Sequence, residues 1–128
     1  MVRQARAPRT EPFGAEAFDP VDGTVLRWIG MAGFLINSRG TTLMVDPLLG
    51  GFDMPLLIDF PIAAADVPRL DAVLVTHSDN DHFSVPTCRE LTRVTREFHS
   101  TQYVGSLMRP EGLPAFTSSR ALPVRTNT

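Results

Sequence analysis

Residues 71–84, DAVLVTHSDNDHFS, contain the signals that decide the fold. Positions 71–75 form a short apolar run, which is typical of a strand buried on both faces of a sheet. Ser84 is a good helix N-cap, and Pro86 stands in the first turn of the helix, where the missing N–H of proline costs nothing. The stretch therefore predicts a buried strand, a polar loop and a helix in direct succession.

The polar loop gathers residue types that bind metal ions. Four potential ligands lie within six residues: His77, Asp79, Asp81 and His82. Imidazole suits zinc and iron, whereas carboxylates suit harder divalent ions such as manganese. A turn after a strand directs alternate side chains toward a common point, and placing two carboxylates beside two imidazoles is costly without a cation. The loop is therefore predicted to bind one or two divalent metal ions, and no organic cofactor is predicted.

The same loop has a second interpretation. Aspartate and asparagine are ordinary loop residues, and Asp81 is able to cap the helix that follows. On this interpretation the chain is a small structural domain and the His-Asp loop is only a turn.

Further strands are predicted on either side of this stretch. They cover 24–29 (TVLRWI), 34–37 (FLIN), 41–45 (TTLMV) and 101–104 (TQYV). The turn signal at 38–40 predicts an antiparallel hairpin of the second and third strands. The helix that begins after Ser84 is predicted to present one apolar stripe, formed by Val85, Cys88, Leu91, Val94 and Phe98.

The long connection at 48–70 and Cys88 are each open to two interpretations. Six apolar side chains of the connection are predicted either to line a pocket or lid or to cover the edge of the sheet: Phe52, Met54, Leu56, Leu57, Ile58 and Phe60. Cys88 is near His82 and is a possible nucleophile, but its place on the apolar stripe favours a buried structural thiol.

The composition of the chain constrains its domain organisation and its binding partners. Its 128 residues suit one domain, and a hydrophobic content of 43% is enough for a core. We expect a loose arm at 1–22 with Phe13 and Phe18 as anchors, a folded region at 23–108 and an irregular tail at 109–128. A net charge of −2 gives no general attraction to nucleic acid or an anionic membrane. A single cysteine and the absence of a signal sequence or membrane span predict a cytoplasmic protein.

The region from Trp28 to Ser106 resembles the N-terminal half of a metallo-β-lactamase-fold hydrolase, and in particular the branch of the ascorbate-6-phosphate lactonase. Four passages carry this resemblance: WIGMAGFLI at 28–36, TTLMVDPLL at 41–49, VPRLDAVLVTHSDNDHFS at 67–84 and PTCRELTRVTREF at 86–98. The resemblance implies an α/β fold, namely half of an αββα sandwich with a mostly antiparallel sheet and one helix after the metal loop.

The resemblance also implies roles for individual residues. The family motif is His-x-His-x-Asp-His, so His77 and Asp79 would bind one ion, and Asp81 and His82 the other. Asp46 would hold the metal loop by hydrogen bonds from behind the ligands. The implied reaction is hydrolysis of a small ester, lactone or phosphoester, in which Asp81 orients the water and helps to move its proton.

The sequence departs from the family pattern at Asp79, at Met31 and in its C-terminal half. Asp79 stands where the family usually has histidine, which favours manganese or iron over zinc and also resembles the di-iron branch of the fold. Met31 stands where many close relatives have histidine. The family takes a histidine, a bridging aspartate and a final histidine from its C-terminal half, whereas His99 is the only histidine after His82 and no aspartate follows.

These departures lead to two hypotheses of different classes. The first is a metal-dependent hydrolase, truncated relative to the family. The second is a non-catalytic fragment with an incomplete metal site, since four ligands from one loop rarely complete two coordination spheres. An open sheet edge in such a fragment would favour self-association.

Overall fold

A computed structural model describes residues 7–114 and the backbone of residues 117–118. A six-stranded sheet has its strands in chain order. The strands are β1 (Thr24–Gly30), β2 (Gly33–Ser38), β3 (Thr41–Val45), β4 (Leu70–Val75), β5 (Thr95–Ser100) and β6 (Thr117–Ser118), and the helices are α1 (Val85–Leu91) and α2 (Gln102–Met108). The predicted α/β class is therefore confirmed.

The first three strands form an antiparallel meander. Arg39 and Gly40, at the tip of the β2–β3 hairpin, have φ angles of 53° and 93°. Turns of this left-handed kind match the twist of a two-stranded ribbon. The predicted hairpin is confirmed.

The remaining pairings are parallel: β4 pairs with β3, β5 pairs with β4, and β6 pairs with β5. The described strands thus make two antiparallel and three parallel pairings, so the sheet is mixed rather than mostly antiparallel. Parallel pairing requires a crossover between strands. The crossover from β3 to β4 is the long connection, and the one from β4 to β5 contains the polar loop and α1.

The core lies against one face of the sheet. Leu35, Met44, Val73 and Phe98 pair across four neighbouring strands, and each is at most 3% exposed. Leu91 of α1, together with Val104 and Met108 of α2, is completely buried in the same cluster. The opposite face is more open, since Leu26 is 64% and Phe34 is 40% exposed.

Two predicted elements after the polar loop are wrong. The helix ends at Leu91 instead of reaching Phe98, and residues Thr95–Ser100 form β5. Phe98 satisfies both a helical step from Val94 and the alternation of a strand, and its pairing with Val73 decides for the strand. The predicted strand at 101–104 is the start of α2, because the Thr101 side chain caps that helix by accepting from the Val104 N–H.

The N-terminal segment is fastened to the core by the aromatic residues expected to anchor it. Phe18 is 1% exposed, and Phe13 packs against the core cluster. The Asn37 side chain donates to the Ala17 and Asp19 carbonyls, so the segment is also joined to β2 by hydrogen bonds. The domain boundary at residue 22 stays a prediction.

Only part of the C-terminal segment falls within the described residues. Leu113 is 6% exposed and belongs to the core cluster. Within the predicted irregular tail at 109–128, Arg109–Glu111 form one short 3-10 helix and Thr117–Ser118 form β6, while residues 115–116 and 119–128 lie outside the described residues. Among residues 7–114 there is no helix long and apolar enough to cross a membrane.

We expect Leu91→Ala to lower the free energy of unfolding by about 2–5 kcal/mol, because the substitution leaves a cavity under α1. The matched change Leu107→Ala in α2 removes a side chain that is already 37% exposed, and it should cost roughly 1 kcal/mol or less. Urea denaturation followed by circular dichroism measures both values. Equal losses in the two variants would contradict the described packing of α1.

Candidate metal site

The candidate site lies where two neighbouring parallel strands end. Asp46 follows β3, and Thr76 and His77 follow β4, which is parallel to β3. The Asp46 N–H donates to the Leu74 carbonyl at 2.8 Å, so the pairing of the two strands continues to the edge of the site. Asp46 has a φ of 45°, which is uncommon for a residue with a side chain.

The Asp46 carboxylate is the buried centre of this edge. Asp46 is 3% exposed. Its Oδ1 accepts the Thr76 N–H at 2.7 Å, and its Oδ2 accepts the Thr76 hydroxyl at 2.6 Å. The same Oδ2 lies 2.8 Å from Nδ1 of His82. These contacts hold both ends of the polar loop against the sheet.

The loop folds back on itself so that its two histidines meet. The His82 and Phe83 N–H groups both donate to the Asp79 carbonyl, which closes a turn. The rings of His77 and His82 have centroids 3.8 Å apart. Nε2 of His77 lies 3.3 Å from Oδ2 of Asp79, and Nε2 of His82 lies 3.6 Å from Oδ2 of Asp81. The loop therefore brings His77 and His82 together and places one carboxylate beside each ring, whereas Asp79 and Asp81 do not join the group of ligand atoms formed by Asp46, His77 and His82.

The hydrogen bonds around Asp46 determine the tautomers of both histidines. A carboxylate only accepts, so Nδ1 of His82 must carry the proton of its bond with Asp46. The Thr76 hydroxyl gives its own proton to Asp46 and lies 3.0 Å from Nδ1 of His77, from which it accepts. In the neutral form of each histidine, the lone pair is therefore on Nε2, the ring nitrogen that lies nearest Asp79 in His77 and nearest Asp81 in His82.

This donor set fits a divalent cation. Asp46, His77 and His82 each offer a ligand atom, and these atoms lie within 4.8 Å of one another. Asp46 is close enough to be a ligand itself, but both of its oxygens already accept hydrogen bonds. This arrangement suits a residue that orients the metal-binding histidines from behind. Asp79 and Asp81 are 75% and 40% exposed at their side chains and have oxygens available for an ion.

Two other candidates in the sequence lie outside this cluster. His99 pairs with Glu97 at 3.1 Å on β5. Cys88 is 1% exposed, and burial together with the charge of Asp46 raises the pKa of its thiol to about 12. A thiol with this pKa remains protonated near neutral pH and is a poor nucleophile, so the prediction of a buried Cys88 is confirmed.

Two residues that support the loop are not predicted from the sequence. Thr76 links Asp46 to His77, and Asp53 accepts the Asn80 side-chain amide at 3.1 Å. The place of Thr76 directly before His77 is a usable signal, because a hydroxyl at a strand end is able to reach the neighbouring strand. Asp53 belongs to a long connection, and no spacing rule places such a residue next to the loop.

The comparison with known protein families settles the ancestry. Residues 25–119 match the profile of the Beta-lactamase superfamily domain. The chain belongs to the beta-lactamase superfamily. This superfamily member is 35% identical over 80 residues to 4-amino-L-phenylalanyl-(CmlP-peptidyl-carrier-protein) 3-hydroxylase of Streptomyces venezuelae. The aligned region covers 59% of this chain and 15% of the relative.

Solved structures show the same fold. CmlA, a diiron beta-hydroxylase from Streptomyces venezuelae, superimposes with a TM-score of 0.59 at 24% identity, over 77% of this chain and 21% of CmlA. The isothiocyanate hydrolase from Delia radicum gut bacteria gives a TM-score of 0.55 at 23% identity, over 76% of this chain and 41% of that one. The superfamily member therefore has the fold of a fragment of a metallo-β-lactamase, and it spans between 15% and 41% of the length of these relatives.

We expect Thr76→Val to lower the affinity of the chain for Mn²⁺ by about ten- to a hundredfold, because the hydroxyl that orients His77 is lost while the side-chain volume is kept. Thr41→Val changes an exposed threonine of β3 and is the matched control. Isothermal titration with MnCl₂ measures both affinities. Equal affinities in the two variants would exclude a role for the Thr76 hydroxyl in metal binding.

Proposed function

We propose that the chain provides the metal-binding loop of a metal-dependent hydrolase, which activates water for attack on a small ester, lactone or phosphoester. The observation that carries this proposal is the cluster of Asp46, His77 and His82, with Asp79 beside Nε2 of His77 and Asp81 beside Nε2 of His82. Membership of a superfamily that contains hydrolases supports it.

The four predicted ligands of the loop and Asp46 each have a role in the proposed reaction. His77, Asp79 and His82 hold the ion, together with one oxygen of Asp81. A divalent ion supplies Lewis acidity and makes hydroxide available near neutral pH. Asp81, with its side chain 40% exposed, orients the attacking water and accepts its proton. Asp46 keeps His82 in the tautomer that presents Nε2.

The chemistry of the donors favours manganese or iron over zinc. Asp79 and Asp81 are carboxylates, and oxygen ligands suit harder ions than the thiolates and imidazoles typical of zinc sites. The proposed substrate is a small molecule, since a net charge of −2 gives no general attraction to nucleic acid. We also propose a cytoplasmic location, which the single buried cysteine supports.

Oxidation at an iron centre is the second candidate function. The relative with 35% identity is named a hydroxylase, and CmlA is described as a diiron protein. Asp79 adds a carboxylate to the site, as expected for iron. The same four loop residues would hold the metal in this alternative, so the reaction itself has to distinguish the two functions.

We expect His82→Ala to abolish both metal uptake and ester hydrolysis, because the substitution removes one Nε2 donor and one of the three hydrogen bonds to the buried Asp46. His99→Ala is the matched control, since His99 lies on β5 and contacts Glu97. The measurements are metal content by mass spectrometry after dialysis against Mn²⁺ and the hydrolysis of 4-nitrophenyl acetate.

The outcomes separate the enzyme from the fragment. Bound Mn²⁺ and turnover in the native chain and in His99→Ala, with neither in His82→Ala, would support the hydrolase. Full activity in His82→Ala would contradict the assignment of the site. A native chain that keeps no ion after dialysis would favour the non-catalytic fragment.

A further measurement separates the two candidate reactions. The native chain is loaded with Fe²⁺ in the presence of ascorbate, and dissolved oxygen is followed with an electrode. We expect ester hydrolysis with no oxygen uptake above the background of iron and ascorbate alone. Oxygen uptake that is lost in His82→Ala would favour oxidation at an iron centre instead.

A further inference from the structure

An apolar cavity of about 370 Å³ lies at the end of β1. Trp28 and Met31 form one wall, and the long connection between β3 and β4 supplies most of the rest. The side chains from that connection are mainly large and apolar, and they include Phe52, Met54, Leu57 and Ile58. The structure thus favours the first of the two interpretations of the connection, in which it lines a pocket.

The cavity and the candidate metal site share one edge of the sheet. A Cβ on Gly33, at the start of β2, would lie 3.1 Å from the Asp46 carbonyl, so the β1–β2 turn is directly beside the strand end that carries Asp46. A Cβ on Gly30 would lie 2.7 Å from Ile58, which shows how closely the connection approaches that turn. The β1–β2 turn therefore lies between the connection that lines the cavity and the strand end that carries Asp46.

A hydrogen bond joins the cavity wall to the metal loop from the other side. The Asn80 amide donates to Asp53 at 3.1 Å, and Asp53 stands between Phe52 and Met54, which line the cavity. The connection that lines the cavity is thus joined to the metal loop by a hydrogen bond.

The wall formed by Trp28 and Met31 is held in place before any ligand binds. The Trp28 indole N–H donates to the Met31 carbonyl at 2.9 Å. Met31 has a φ of 50°, a left-handed conformation that costs free energy for a residue with a side chain. Strained backbone of this kind persists where its surroundings hold it, and it is common at ligand sites.

The size and exposure of the cavity fit a small apolar group. A dry cavity of about 150 Å³ is able to bind benzene, so this one has room for a phenyl ring or a chain of about six carbons. Leu57 and Met54 are 76% and 61% exposed, and an occupant of the cavity would remove part of this apolar surface from water.

We propose that this cavity binds the apolar end of the substrate, an aryl group or an alkyl chain of about six carbons, while the group to be hydrolysed lies against the metal loop. The identity of the occupant as part of a substrate rests on the proposed function. The binding of an apolar group by the cavity does not, because it requires neither a metal ion nor turnover.

The binding experiment uses the full chain, dialysed against EDTA, and 1-hexanol as the probe. Trp28 is the only tryptophan of the chain and lies in the cavity wall, so its emission on excitation at about 295 nm reports occupancy. We expect a saturable blue shift with 1-hexanol. The affinity should fall by roughly fourfold for each methylene removed toward 1-butanol.

The variants test whether the signal comes from this cavity. Leu57→Asp places a charge in its lining at an exposed position, and it should raise the half-saturating hexanol concentration at least fivefold. Leu57→Ser repeats the test without a charge. Tyr103→Asp on α2 alters a residue that is 63% exposed and does not line the cavity, and it should leave the value within twofold. A signal that does not saturate, or one that is identical in all variants, would overturn the proposal.

A kinetic arm separates this proposal from the proposed function. With the Mn²⁺-loaded chain, KM for 4-nitrophenyl hexanoate should lie well below KM for the acetate, with similar kcat, and Leu57→Asp should remove that difference. Saturable hexanol binding without any hydrolysis would contradict the hydrolase and retain the apolar binding site. Hydrolysis with no preference for the longer ester would overturn the substrate assignment alone.

Discussion

The negative charge of Asp46 at the end of β3 is the constraint on which the candidate site depends. A carboxylate that is 3% exposed must be compensated by hydrogen bonds, and the donors come from the residues that begin and end the polar loop. Thr76 satisfies two of these bonds and His82 the third. The loop has its observed shape because the parallel pairing of β3 with β4 places Asp46 beside Thr76, where its buried carboxylate requires hydrogen-bond donors.

Much of this arrangement is readable from the sequence. The run DAVLVTHSDNDHFS predicts a strand, a ligand-rich loop and a capped helix, and each of these forms in the structure. The alternate spacing of His77 and Asp79 also predicts their approach to one another, whereas Asp81 lies beside His82. The ligand roles of these residues stay predictions, since their contacts are those of the chain alone.

Other features lie beyond what local patterns are able to predict. Residues 92–100 are compatible with a helix by period and with a strand by composition, and only the pairing of Phe98 with Val73 distinguishes them. The approach of Asp53 to Asn80 depends on the path of a long connection, for which the sequence offers no periodicity. The lactonase-like branch likewise stays a prediction, because the relatives found are a hydroxylase and hydrolases.

The parallel pairing of β3 with β4 has a consequence for the order of events during folding. The meander of β1, β2 and β3 closes through short turns, whereas β3 and β4 meet only after the chain of residues 46–69 has looped back. Loop closure over such a separation is slow relative to hairpin formation. We therefore expect Asp46, His77 and His82 to come together late in folding. A partly folded chain would lack this cluster until β4 has paired with β3.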